Sequence, residues 1–96
     1  MENRLLNQQT PPEIATTLAG RLRARRKERK FTQAELSVRS GVSLGSLRRF
    51  ETTGEISLKS LIKLATVLNV EADFKQLFAQ RQYHSIQEII DEQERQ

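Results

Sequence analysis

The sequence FTQAELSVRSGVSLGSLRRFE, residues 31–51, decides the fold of this chain. Thr32 and Glu35 have the spacing of a capping box, which predicts that a helix begins directly after Thr32. Gly41 stands where a helix commonly ends in a left-handed residue, a conformation that glycine adopts without steric cost. Ser43 is a suitable N-cap for the next helix. Two short helices joined by a turn that contains glycine are the signature of a helix-turn-helix unit.

Caps and apolar spacing predict further helices on both sides of this unit. Thr10 and Glu13 form another capping box, so a helix should start there and end near Arg29 or Lys30. Ser57 caps a later helix, whose leucines recur at helical spacing and predict the main core helix. Two shorter helices are expected, one over 72–78 and one after Ser85. The predicted fold class is therefore all-α: a five-helix domain with a central helix-turn-helix, and a C-terminal helical extension.

Apolar residues at helical spacing also predict which face of each helix is buried. The first helix should bury Ile14, Leu18 and Leu22, with Ala15 and Ala19 beside them. The second should bury Leu36 with Ala34 and Ser37, and the third Leu47 and Phe50, which pair with Val42. This arrangement leaves Leu44, Gly45, Arg48 and Arg49 on the outward face of the third helix.

Composition excludes several classes of function. A chain of 96 residues makes one domain, which leaves little room for a deep catalytic cleft. The absence of Cys excludes a disulfide scaffold and a thiolate metal site, and His84 is the single histidine. No Ser or Thr stands in a nucleophile-and-base arrangement. We therefore expect no enzyme, no cofactor and no metal.

The apolar stretches of the sequence predict where in the cell the protein is located. The longest such stretch, residues 61–70, is interrupted by Lys63 and Asn69 and is far too short for a membrane span. No charged segment leads into an apolar one near residue 1. We expect a cytoplasmic, nucleoid-associated protein with no membrane partner.

Charge divides the chain into two parts. Residues 1–70 hold 13 Lys and Arg against 6 Asp and Glu, whereas residues 71–96 hold 3 against 6. A basic body predicts a polyanionic partner, and its densest run lies within residues 21–30. Taken alone, that run fits a solvated helix face equally well.

From Leu22 to Val70 the chain resembles the Cro and phage-repressor class of helix-turn-helix proteins, the XRE family. The matching residues are Leu22, Arg23, Arg26, the segments 31–37 and 40–43, Ser46, Leu47, Phe50, Glu51, and the helix with Leu58, Leu61, Ala65 and Leu68. The resemblance implies a repressor-like domain that binds double-stranded DNA and inserts its third helix into the major groove.

The resemblance also implies residue roles. The candidate DNA contacts are Gln33, which would fix a phosphate, and Ser43, Leu44, Gly45, Ser46, Arg48 and Arg49 on the third helix. Arg26 and Glu51 would form a structural ion pair that orients this helix; the alternative is two separately solvated charges. The chain departs from the family after Glu51, where Gly54 comes one residue late and Glu55 replaces the usual lysine.

The chemistry of the outward residues agrees with such roles. An exposed arginine can bind guanine in a bidentate manner, and an exposed leucine can contact a thymine methyl group. Two alternatives remain at this point: both arginines contact only phosphate, and Leu44 packs against another helix. RNA binding is disfavoured because the chain has few aromatic rings on which bases could stack.

The expected organisation is a flexible arm over 1–12, the DNA-binding domain over 13–70, and an acidic extension over 71–96 for dimerisation or partner binding. The candidate interface residues are Phe74, Leu77, Phe78, Ile86, Ile89 and Ile90. They exceed what so short a segment needs to cover itself. The alternative is a simple extension of the monomer core.

The predicted function is a sequence-specific transcriptional repressor that acts as a homodimer. The size, the arm and the segment 50–58 are similar to antitoxins of the HipB type, which implies an autorepressing antitoxin with a HipA-like kinase toxin as partner. The alternative is a phage-type or stand-alone regulator with no toxin partner.

Overall fold

The helices of this protein follow the order that its caps predict. The computed structural model describes residues 8–81 and 86–94. Within them lie six helices: α1 (Pro11–Glu28), α2 (Gln33–Ser40), α3 (Leu44–Thr53), α4 (Leu58–Val67), α5 (Ala72–Gln76) and α6 (Ile86–Glu94). These residues form no strand, and the all-α prediction is confirmed. Residues 1–7 of the predicted arm lie outside the described residues.

Both predicted capping boxes are formed. The hydroxyl of Thr10 accepts a hydrogen bond from the backbone N–H of Glu13, whose carboxylate accepts one from the N–H of Thr10. Thr32 and Glu35 exchange the same two bonds at the start of α2. Each pair satisfies two N–H groups that the first helical turn leaves without partners.

The turn between α2 and α3 is held by glycine and by serine hydroxyls. Gly41 ends α2 in the left-handed region, at φ 76°. The Ser37 hydroxyl donates to the carbonyl of Val42 over 2.6 Å, and the Ser43 hydroxyl caps α3 by accepting from the N–H of Ser46. The two serine hydroxyls thus hold the ends of the turn, and the buried side chain of Val42 holds its middle against the core.

The core lies where α3 meets α1 and α2, and where α2 meets α4. Its largest fully buried side chains are Leu36, Leu47, Phe50 and Leu64. Leu47 and Phe50 therefore form the inner face of α3. Burial of each of these two side chains stabilises the fold by about 1.5–3 kcal/mol. A rotation of α3 about its own axis would expose them and lose this energy, so the rotation is fixed.

The predicted inner face of α1 is partly wrong. Leu22 and Ala19 are buried, which confirms that part of the prediction, but Ile14 and Leu18 are 46% and 45% exposed. Residues four apart on a helix drift around its axis by about 40° at each step. The stripe that contacts the core is therefore made by Ala19, Leu22 and Arg26, while Ile14 and Leu18 have rotated away from it.

Two smaller predictions are also wrong. Ala34 is exposed, because it precedes the buried Leu36 by two residues and so lies on nearly the opposite side of α2. The helix expected over 72–78 ends at Gln76, and Phe78 has a left-handed backbone with φ 60°.

Candidate nucleic-acid interface

The outer face of α3 is made of the residues that the sequence places opposite its core face. Gly45, Ser46, Arg48 and Arg49 are exposed, and Leu44 is half-buried. The guanidinium groups of Arg48 and Arg49 thus lie on the solvent-exposed side of α3, and the opposite side of α3 packs in the core. This combination presents positive charge and hydrogen-bond donors on a rigid rod of a width that the major groove admits.

The N-terminus of α3 is tightly capped. The Ser43 hydroxyl accepts from the N–H of Ser46 over 3.1 Å and donates to the Ser46 hydroxyl over 2.8 Å. The two serines are therefore organised as a pair, in which the Ser46 hydroxyl still has its own hydrogen to donate. Gly45, between them, has open space where a side chain would stand.

Arg26 and Glu51 meet in a nearly buried ion pair between α1 and α3. The guanidinium donates twice to the carboxylate, over 2.8 Å and 2.9 Å, and once to the carbonyl of Phe31 over 2.8 Å. The Arg26 and Glu51 side chains are only 8% and 4% exposed. Arg23 lies at the edge of the pair, 3.9 Å from the same carboxylate. This geometry ties the C-terminal half of α3 to α1.

Gln33 joins that network, a contact the sequence did not predict. Its amide nitrogen donates to Glu51 over 2.8 Å, across 18 residues of chain. The amide group keeps a second N–H and its oxygen for another partner. Since Gln33 is the first residue of α2, its side chain and the free N–H groups of the helix start lie together, in the arrangement that binds anions.

The pKa of Glu51 lies below its ordinary value, as the net result of effects that oppose one another. Burial is the largest of them and raises the pKa, because it disfavours the charged carboxylate. Hydrogen bonds from Arg26 and Gln33, together with the charges of Arg26 and Arg23, favour the charged form and outweigh burial. Glu51 is therefore ionised at neutral pH.

Arg49 makes a second ion pair, at the surface. Its Nη2 donates to the Glu55 carboxylate over 2.6 Å, and the two side chains are 66% and 64% exposed. Glu55 lies in the loop between α3 and α4, six residues after Arg49. This partnership was not predicted, since the helical spacings of three and four do not connect the two positions.

A helix-turn-helix family model matches residues 22–75, which is more than half of the chain. The chain belongs to the XRE-type helix-turn-helix family. The predicted membership is thereby confirmed. The family consists of DNA-binding regulatory domains and is not a family of enzymes, so this XRE-type protein binds double-stranded DNA and regulates transcription. Neither a curated protein nor a solved structure matches the chain.

The loop after α3 of this XRE-type protein contains Gly54 and Glu55, the two residues at which the sequence departs from the family pattern. Gly54 ends α3 at φ 82°, and its N–H donates to the carbonyl of Phe50 over 2.8 Å. A Cβ added there would stand 2.8 Å from the carbonyl carbon of Ala15. Only glycine therefore allows the loop to pass so close to α1, and this passage delivers Glu55 to Arg49.

The predicted interface residues differ in their exposure. Phe74 and Ile89 are half-buried, whereas Leu77, Phe78 and Ile90 are 50%, 93% and 41% exposed. The side chain of Ile86 lies outside what the structure describes.

An apolar groove of about 270 Å³ lies beside these residues, and its lining includes Leu18, Leu61, Phe74 and Leu77. None of the described helices combines the length and the apolar character that a bilayer crossing needs.

Proposed function

We propose that this XRE-type protein is a transcriptional repressor that recognises a specific operator as a homodimer. The observation that carries the proposal is the division of α3, which buries Leu47 and Phe50 and exposes Arg48 and Arg49. A helix held in this way has no freedom to rotate, so its exposed side chains meet a duplex in a fixed register. Fixed register is what sequence discrimination requires.

Four residues of the outer face of α3, together with Gln33, have roles in the proposed complex. Arg49, with Arg48 beside it, binds the O6 and N7 acceptors of guanine. Leu44 contacts a thymine methyl group, and the open space at Gly45 lets the duplex approach the backbone of α3. Gln33 donates its second amide N–H to a phosphate while the first holds Glu51. The phosphate contact then sets the position of the same helix that reads the bases.

Two alanine variants test these roles. Arg49→Ala should remove the preference at one base pair, worth about 1–3 kcal/mol of discrimination. Gln33→Ala should weaken binding to all sequences by a similar factor, since phosphates carry no sequence information. The measurement is selection from random duplexes, followed by titration of single-base variants of the selected site at one salt concentration.

A matched control is Lys75→Ala, which removes one exposed positive charge from α5. It should leave the base preferences unchanged. The assigned roles would be refuted if Arg49→Ala, like Gln33→Ala, lowered the affinity for every DNA sequence by the same factor. Circular dichroism should accompany Gln33→Ala, because this variant also removes a hydrogen bond to Glu51.

The homodimer is proposed from the apolar surface beside α5. Leu77 and Phe78 are exposed next to the groove that Leu18, Leu61 and Phe74 line. A second copy is the proposed occupant, because two reading helices about 34 Å apart match successive turns of an operator and a single helix makes too few contacts for useful specificity. A symmetric pair covers the same surface on both copies.

Sedimentation velocity tests this part of the proposal. The wild-type protein should have the mass of a dimer, and Leu77→Asp should have that of a monomer. Val38→Asp is the control, because Val38 is 83% exposed on α2 and apolar as well. A monomeric wild type would overturn the homodimer, whereas a dimeric Leu77→Asp would overturn only the choice of surface.

The antitoxin refinement is supported by the resemblance to HipB-type proteins. The proposed partner is a HipA-like kinase that the same operon encodes. Co-expression with the product of the adjacent gene should yield a complex in which the kinase is inactive; an unbound, active kinase would leave the stand-alone regulator.

A further inference from the structure

We infer that Glu55 determines specificity at the DNA interface, by holding the guanidinium group of Arg49 in one orientation. The inference rests on the proposed function, in which Arg49 reads a base. It adds a residue outside α3 to the reading surface and gives a role to the acidic residue that replaces the lysine usual in the family.

The first support is the position of the ion pair. Arg49 donates to Glu55 over 2.6 Å, and both side chains are about two-thirds exposed. The contact therefore lies on the surface that α3 presents to solvent. A small cleft of about 320 Å³ opens beside it, and Ser46, Ser57 and Ser60 contribute to its lining. Arg49 and Glu55 themselves line this cleft.

The second support is that Glu55 is itself anchored to α3. The Thr53 hydroxyl donates to the backbone carbonyl of Arg49 over 2.7 Å. The N–H of Glu55 in turn donates to the Thr53 hydroxyl over 3.1 Å. Gly54 packs against Ala15 at a distance that no other residue allows. Glu55 is thus attached at backbone level to the residue whose side chain it binds.

The consequence for recognition is chemical. Arginine has a planar fork of N–H donors, so a carboxylate that accepts from one of them leaves others for the O6 and N7 of guanine. A guanidinium already held in place loses less side-chain entropy when it binds the base. The carboxylate also repels phosphates, which lowers the affinity for every duplex. The ordering of the guanidinium is the effect that increases discrimination between bases.

The experiment compares two variants of Glu55 on the selected operator, on the operator with the Arg49-read base pair changed, and on a duplex of random sequence. Glu55→Ala removes charge and acceptor together. It should reduce discrimination at that base pair by about two- to fivefold, the range of exposed ion pairs. It should also increase affinity for the random duplex. Glu55→Gln removes the charge and keeps an acceptor, so it should increase random binding while it retains most of the discrimination.

Two controls separate this role from a general charge effect. Glu28→Ala removes one exposed carboxylate that also pairs with an arginine, Arg25 on α1, and it should leave discrimination unchanged. In an Arg49→Ala background, Glu55→Ala should have no further effect on base preference. Discrimination that is unchanged in Glu55→Ala, while Arg49→Ala loses it, would overturn the inference and leave the proposed function intact. A wild-type protein that selects no sequence would overturn the proposed function itself.

Discussion

Removal of the Glu51 carboxylate should destabilise this protein far more than removal of any exposed acidic group. In Glu51→Ala the Arg26 guanidinium, whose side chain is 8% exposed, keeps the carbonyl of Phe31 but loses both bonds to the carboxylate. Gln33 loses its acceptor at the same time. The variant therefore leaves a positive charge in the protein interior with one of its three hydrogen bonds.

The magnitude follows from that count of lost contacts. Breaking a buried pair by removing one partner costs about 3–5 kcal/mol. The retained bond to Phe31 places the expectation near the lower end, at about 3 kcal/mol. For a domain of this size each kcal/mol lowers the melting temperature by about 4–8 °C, so the expected decrease is about 12–24 °C.

Urea unfolding, followed by circular dichroism at one fixed protein concentration, measures the loss. Glu55→Ala is the matched control, since it breaks an ion pair whose partners are 66% and 64% exposed and should cost less than about 1 kcal/mol. The double variant Arg26→Met with Glu51→Leu should recover part of the loss, because it leaves no unpaired charge. Equal losses in Glu51→Ala and Glu55→Ala would refute the buried-pair reasoning.

Three further predictions concern pH, backbone and salt. The pKa of Glu51 lies below its ordinary value of 4.5 in the folded state, so the ionised carboxylate contributes stability above that pH, and this contribution is lost as the pH falls below it. Glu51→Gln should therefore make the unfolding free energy fall less steeply at acid pH. An unchanged acid dependence would contradict this role of Glu51. Gly54→Ala should cost at least about 1–2 kcal/mol for its left-handed backbone, with the overlap on Ala15 in addition. Gly20→Ala, at a helical position with open space, should instead stabilise by up to about 1 kcal/mol, and thermal unfolding that ranks the two glycines the other way would contradict the packing described. Affinity for the operator should fall steeply as salt rises, because phosphate contacts release counterions; a flat response in a titration series would exclude docking dominated by phosphates.

The helices themselves were predictable, because the interactions that begin and end them are local. Thr10 with Glu13 and Thr32 with Glu35 act over three residues, and Gly41 ends α2 by its own backbone freedom. The inner face of α3 was predictable for a related reason. Leu47 and Phe50 are three residues apart, and a helix brings that spacing to one side.

Predictions became less accurate where a face depended on a neighbour rather than on its own spacing. Ile14 and Leu18 continue the apolar series of α1 and yet are half exposed, because the stripe of α1 that is buried in the core is made by Ala19, Leu22 and Arg26. Apolar periodicity identifies a stripe on a helix, but the packing partner decides which part of the stripe is covered.

The amino-acid sequence by itself determined the class of the fold, the position of α3 and the side of α3 that carries Arg48 and Arg49, since caps and helical periodicity act within a few residues. Tertiary structure alone decided the contacts of that helix with the rest of the chain. Gln33 reaches Glu51 across 18 residues. Glu55 reaches Arg49 through a loop whose path depends on the close contact between Gly54 and Ala15. Such distances in space depend on how helices pack, which no local rule contains.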